Sequence, residues 1–218
     1  MKKAILFGAS GFIGSQLLRL LLDSPDYSEV IAVVRKPLTL SDPNLTVLIG
    51  DLASLPALAP KLVADEVFIA LGTTRKHTPD EAEYYKVDHD YPVQAASIAK
   101  ANGARSVFLV TAVGANAGSG VFYLKTKGEV ERDILALGFE HTHIFRPSMI
   151  LGERGEDRPR EKYFVAIWGL LNPLLVGPAD RYRGLTGGDI ARAIASAARR
   201  QDEKVRIYHW KEMAALLR

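Results

Sequence analysis

Ala4-Ile5-Leu6-Phe7-Gly8-Ala9-Ser10-Gly11-Phe12-Ile13-Gly14 joins a short apolar run to a second one, Ile13 to Leu22, that has helical spacing. A strand, a glycine turn and a helix in that order make a phosphate site. Glycine has no Cβ, so backbone N–H groups approach an anion closely, and the new helix points its positive end at that anion. The three glycines fall in Gly-x-x-Gly-x-x-Gly order. With a strand before it and a helix after it, this turn predicts dinucleotide binding through Gly8, Ser10, Gly11, Phe12, Ile13 and Gly14.

Outward from the turn, strand-like and helix-like segments alternate. Strands are expected at 3–7, 30–34, 46–49, 66–71, 106–111 and 141–145. Helices are expected at 12–22, 80–101, where Asn102-Gly103 is the stop signal, and 122–137, which ends at Gly138. The strands are short and rich in Val, Ile and Leu, as in a parallel sheet buried on both faces. Alternation of this kind predicts an α/β fold: a doubly wound, Rossmann-like parallel sheet with helices on both faces. Beyond Arg146-Pro147 the pattern loosens. One helical piece is expected near 163–171, a helix at 189–200, a strand at 205–208 and a last helix at 211–217. No repeat or low-complexity linker divides the chain. Residues 1–218 are therefore read as one binding domain, with 151–185 and the C-terminal helices as a small substrate cap.

Composition narrows the function classes. The 218 residues are 48% hydrophobic and contain no cysteine, which excludes disulfide scaffolds, thiolate metal sites and thiol nucleophiles. That usage, with no signal peptide recognised at the amino terminus, suggests a cytoplasmic location. The apolar stretch 164–176 is broken by Gly169 and Asn172-Pro173, so no integral membrane segment is expected. The net charge of +3 is dispersed among acids. It suits an anionic cofactor and carries no nucleic-acid footprint. Five histidines without a converging carboxylate predict packing or surface roles and no metal site.

The ribose selector follows strand 2. An acid there would bind the ribose hydroxyls of NAD(H); this chain has Arg35-Lys36 instead, a planar fork and a second charge for a 2′-phosphate. NADP(H) is therefore expected over NAD(H). Asp51 and Leu52 after strand 3 suit the adenine, with an N-cap as the alternative reading of Asp51. Leu71, Gly72, Thr73 and Thr74 after strand 4 let a cofactor pass.

Tyr123 and Lys127 lie four apart in a helical segment just after strand 5 and so share a face. Together with Gly8–Gly14, Ala70-Leu71-Gly72-Thr73-Thr74-Arg75, Val87-Asp88-His89-Asp90-Tyr91, Tyr123 to Glu129 and Phe145-Arg146-Pro147-Ser148, they carry a resemblance. The chain resembles the atypical short-chain dehydrogenases/reductases. More narrowly, it resembles their Tat-interacting-protein-like branch and its small bacterial relatives. The resemblance implies that Tyr123 is the acid/base, that Lys127 binds the nicotinamide ribose and tunes Tyr123, and that Arg146, Pro147 and Ser148 lie at the nicotinamide end. One position departs from the family. Aligning Val110-Thr111-Ala112-Val113-Gly114 on the usual pattern puts Ala112 where a serine bonds the substrate oxygen, and Thr111 replaces it only if its hydroxyl faces the pocket.

These observations lead to an NADP(H)-dependent reductase of a small carbonyl substrate. Ala112 keeps open a non-catalytic NADP(H) sensor acting through a protein partner, and a homodimer is equally open. A third class retains its cofactor for epimerisation or dehydration. The small C-terminal region argues against a nucleotide-sugar substrate.

Overall fold

β1 (Lys2–Phe7) shows how the sheet is built. Ala4 and Leu6 feed one core, while Ile5 and Phe7 feed another. β2 (Tyr27–Val34) divides in the same way, with Val30, Ala32 and Val34 on one side and Ile31 and Val33 on the other. Side chains alternate across a strand, so a run apolar at every position must be covered on both faces.

The computed structural model describes residues 1–152 and 175–218. The expected helical piece at 163–171, and most of the expected cap, lie outside the described residues. The remaining strands are β3 (Leu45–Ile49), β4 (Glu66–Ile69), β5 (Ser106–Val110), β6 (His141–Phe145), β7 (Ile150–Leu151), β8 (Leu185–Thr186) and β9 (Val205–Tyr208). Seven of them form one sheet in the order β3-β2-β1-β4-β5-β6-β9, and every pairing in it is parallel. β7 and β8 form a separate parallel pair. This is the doubly wound sheet the sequence predicts.

One face of the sheet is covered by α1 (Gly14–Leu22), a helix α2 at Gly187–Ala198 and a short α3 at Trp210–Ala215, through Leu17, Leu21, Ile190, Ile194 and Met213. The other is covered by α4 (Tyr91–Ala101) and α5 (Phe122–Ala136), through Ala95, Ala96, Ala99, Val130 and Ile134. α1 starts at Gly14 rather than Phe12, because residues 8–13 remain in the turn. α2 has a reciprocal cap, with Thr186 and Asp189 bonding each other's end of the first turn.

The helix expected at 80–101 forms, but not uniformly. Asp80 caps it by accepting from the Glu83 N–H at 2.9 Å. A first turn at Glu81–Tyr85 then passes through a widened π turn at Lys86–Asp90 before α4 begins. The π turn inserts a residue into the helical register. Asp88 and His89, two successive polar residues, are buried together as a result.

Histidine packing follows expectation at His143. Its ring is fully buried, stacks on Phe108 at 4.7 Å and meets the Tyr208 hydroxyl at 2.8 Å through Nδ1. Burial lowers its pKa to about 4.

Candidate functional site

The strand order reverses at β1, where β2 and β3 run to one side and β4, β5, β6 and β9 to the other. Loops leave in opposite directions there, and the carboxyl ends of the strands bound a hollow. The cleft has a volume of about 980 Å³. Ser10, Gly11, Phe12 and Ile13 line it from the glycine turn, with Arg35 from the end of β2. Leu71, Gly72, Thr73 and Thr74 line it after β4, and Thr111, Tyr123 and Lys127 from β5 onward.

The glycine turn is shaped by contact as much as by conformation. Gly8 has φ +89°, and a Cβ there would lie 2.5 Å from the Ala70 carbonyl oxygen. A Cβ on Gly14 would overlap the Gly8 carbonyl oxygen. Strand, turn and helix are therefore pressed together at the two outer glycines, while Gly11 faces the cleft. Ile13 heads α1 with no side-chain cap bond. A helix start that no side chain caps, opening on a hollow, fits a phosphate group.

Across the cleft, the π turn meets α5. Asp88 Oδ1 lies 2.6 Å from Lys127 Nζ, with both side chains buried. Oδ1 is without an aligned hydrogen bond among the described residues, so this contact is an ion pair rather than a directed bond. Asp88 Oδ2 accepts from the Thr73 N–H at 2.8 Å. One carboxylate thus ties the lysine to the loop after β4. Tyr84 lies beside this junction, its hydroxyl donating to the Thr73 carbonyl at 3.3 Å and its ring edge-on to Phe122 at 5.7 Å. Burial, with the Asp88 carboxylate second, holds the Tyr84 phenol well above its usual range. Tyr123 lies at the start of α5, 39% exposed and lining the cleft.

One turn further along α5 lies a second pair. Glu131 takes Arg146 in a fork, with Nε at 2.9 Å from Oε1 and the second arm at 2.5 Å from Oε2. The Thr111 hydroxyl donates to the same Oε1 at 2.5 Å. Its one proton is committed inside the protein, so the condition under which Thr111 would replace the serine is not met.

Some other predicted residues lie off the cleft lining. The Arg146 guanidinium is held by Glu131, and Pro147 and Ser148 follow it outside the lining. The Asp51 carboxylate accepts the Ser54 N–H at 3.1 Å and closes the turn before a short helix at Leu55–Leu58, whose own cap position is Ser54, and Leu52 packs against the core that Ile5 and Phe7 feed. Lys36 is exposed and lies outside the lining of this cleft. Sequence reasoning singled out neither Asp88 as the partner of Lys127 nor Glu131 as the partner of Arg146. For Asp88 the signal was its place in the Val87–Tyr91 motif of the family resemblance; Glu131 is one of three acids on α5 and nothing set it apart.

A model of a family described as NAD(P)H-binding matches residues 8–163, which includes the glycine turn, Asp88, Tyr123 and Lys127. The chain belongs to this NAD(P)H-binding family. A mitochondrial protein FMP52 from Eremothecium gossypii is 34% identical over 99% of this chain and 97% of its own length. The FMP52 protein of Candida glabrata is 37% identical over 69% of this chain and 65% of its own, so in that alignment the chain spans just under two thirds of its relative. Among solved structures, MoeE5 in complex with UDP-glucose and NAD superposes with a TM-score of 0.71 at 21% identity, covering 98% of this chain and 80% of that one. The Bordetella bronchiseptica enzyme WbmH in complex with NAD+ gives 0.71 at 17% identity, covering 96% and 75%. At these identities the likeness shows the fold alone. It is the doubly wound, Rossmann-like fold that the sequence predicts. The cytoplasmic expectation is corrected by the FMP52 relatives, which are named as mitochondrial proteins. Cysteine usage and the amino terminus report redox class and one kind of leader only, which is why they misled.

Proposed function

We propose that this protein is an NADPH-dependent reductase of a small carbonyl compound. The observation that carries the reading is the convergence of the glycine turn, Tyr123 and an Asp88-anchored Lys127 on one cleft at the strand-order reversal. On this reading the glycine turn and the head of α1 take the dinucleotide phosphates. Arg35 takes the 2′-phosphate, with Lys36 as an outlying charge. Leu71, Gly72, Thr73 and Thr74 border the path of the cofactor. The whole chain acts as one unit, with residues 151–185 and the C-terminal helices as its cap.

Bound NADPH supplies a hydride to the carbonyl carbon. The chain's own residues do the rest. Tyr123 gives its phenolic proton to the carbonyl oxygen as that oxygen gains electrons, so the product is an alcohol, and solvent returns a proton to the partly exposed ring. The Lys127 ammonium holds the ribose and stabilises the phenolate left behind. Asp88 fixes Lys127 in place. Thr111 is a positioning residue that helps hold Glu131 and Arg146.

The test is NADPH oxidation over a carbonyl panel. Tyr123→Phe is expected to lower kcat by about 10²-fold or more while NADPH still binds. Stoichiometric NADPH binding with no turnover, indifferent to Tyr123→Phe, would sink the reductase reading. Ala112 and the inward Thr111 hydroxyl would then favour the second one: an NADP(H) sensor whose bound state is read by a protein partner.

A further inference from the structure

The π turn that supplies Asp88 is fastened to α5 a second time, by the very next residue. His89 Nε2 lies 2.9 Å from Asp133 Oδ2 on α5, and His89 Nδ1 lies 2.8 Å from Asp90 Oδ1 in the turn itself. A carboxylate only accepts, so the ring donates from both nitrogens when both contacts hold. The Tyr85 ring stacks on the imidazole at 4.4 Å, and His89 is buried beneath it. Asp133 is a firm acceptor. Arg132 reaches both of its oxygens, at 2.7 and 3.0 Å. Arg132 chiefly, and His89 behind it, hold the Asp133 carboxyl down to about 2 against the opposing effect of burial.

Two successive side chains of one turn thus grip one helix. Asp88 takes Lys127 and His89 takes Asp133, six residues further along α5 and so about 9 Å along its axis. A single contact would leave the turn able to pivot. Two contacts separated along the helix fix both its position and its angle. The turn carries the acceptor for Lys127, and that acceptor lies against the cleft wall: a Cβ on Gly72 would sit 3.7 Å from both Asp88 Oδ1 and Lys127 Nζ. A slide of the turn therefore moves the ammonium relative to Gly72, which lines the cleft. His89 itself is outside that lining, so its influence on a bound dinucleotide passes through the turn.

We propose that His89 is a positioning residue for the cofactor. By holding the π turn on Asp133 it sets Asp88, and through Asp88 it sets Lys127 against the nicotinamide ribose. This deepens the reductase reading and rests on its assignment of Lys127 to that ribose. The pair between His89 and Asp133 matters less for its own attraction than for where it leaves a buried lysine, since a small misplacement far from the chemistry is costly.

The experiment is a double-mutant cycle on the full chain, read by NADPH fluorescence titration and by urea unfolding. His89→Gln reaches only one of the two carboxylates and is expected to weaken NADPH about fivefold. In the background Asp88→Asn with Lys127→Met, the same change is expected to alter NADPH affinity by less than about twofold, while its cost in urea midpoint persists. A histidine with a merely structural role would lower the midpoint without that dependence on Lys127. Asp133→Asn removes the acceptor from the α5 side and is expected to repeat the pattern at smaller amplitude, so the test stands if His89→Gln does not fold. His89→Arg can donate to two carboxylates and is expected to restore the affinity that His89→Gln loses. The proposal is overturned if neither His89→Gln nor Asp133→Asn weakens NADPH, or if the loss is as large without Lys127 as with it.

Turnover separates this outcome from the reductase reading. With 4-nitrobenzaldehyde as the probe, His89→Gln is expected to lower kcat about tenfold. Wild-type turnover together with an additive loss of NADPH affinity in the cycle overturns the positioning role and leaves the reductase intact. A Lys127-dependent loss of affinity, with no turnover of any carbonyl in the panel, keeps the positioning role and removes the reductase. A wild-type protein that binds no NADPH removes both.

Discussion

Two ion pairs sit one turn apart on the same helix and do opposite things. Lys127 and Glu131 are four residues apart on α5, and both are buried. Lys127 meets Asp88 from the π turn, and its side chain still borders the cleft. Glu131 meets Arg146 from the loop after β6 and also holds Thr111, and neither member of this pair lines the cleft. The first pair leaves a cation at the edge of the cleft. The second satisfies itself and seals the junction between β5, β6 and α5. A buried charge therefore signals function here only when its surroundings leave it facing a hollow.

The largest expected effect comes from breaking the open pair. Lys127→Met is expected to lower NADPH turnover by about 10²–10³-fold, measured as kcat/KM on any probe that the wild-type protein reduces. Adding Asp88→Asn removes the stranded carboxylate, so denaturant stability should recover while turnover does not. The sealed pair should behave the other way. Glu131→Ala strands Arg146 and is expected to cost about 3 kcal/mol in urea unfolding. The double variant Glu131→Gln with Arg146→Met should regain much of both stability and turnover. If activity stays lost in that double variant, Arg146 reaches the cofactor after all and the comparison fails.

A third expectation tests burial away from the cleft. His143 is held neutral down to about pH 4 in the folded chain, whereas an unfolded histidine takes up a proton near 6.5. Between those values the unfolded state binds more protons, so stability falls as pH drops from about 6.5 to 4. The pH-dependent part of this loss, followed by urea midpoints, should shrink in His143→Phe. The smallest effect is expected at the exposed end of the cleft. Arg35→Ala should weaken NADPH about tenfold by fluorescence titration and leave NADH nearly unchanged. An equal loss for both cofactors would refute the 2′-phosphate role.

The legible parts share one property: each is written in contiguous sequence. β1, the glycine turn and α1 could be read together because apolar periodicity and glycine spacing act over a few residues. The helix from Asp80 to Ala101 was legible in extent, but its π turn was not, since a one-residue insertion leaves no mark in composition. The bond between Asp51 and Ser54 spans only three residues, so a turn there is within reach of local sequence. Arg146 was misplaced because its partner is fifteen residues back, across β6.

By itself, then, the sequence determined the doubly wound sheet, the phosphate turn and the four-residue spacing that puts Tyr123 and Lys127 on one face. Local backbone preference and burial period are enough for these. Only the tertiary structure decided which charges face the cleft. It gave Lys127 its carboxylate from the π turn, turned Thr111 inward to Glu131 and closed Arg146 off. Those choices depend on which distant side chains meet at 2.5–3 Å, and spacing along the chain does not encode that distance.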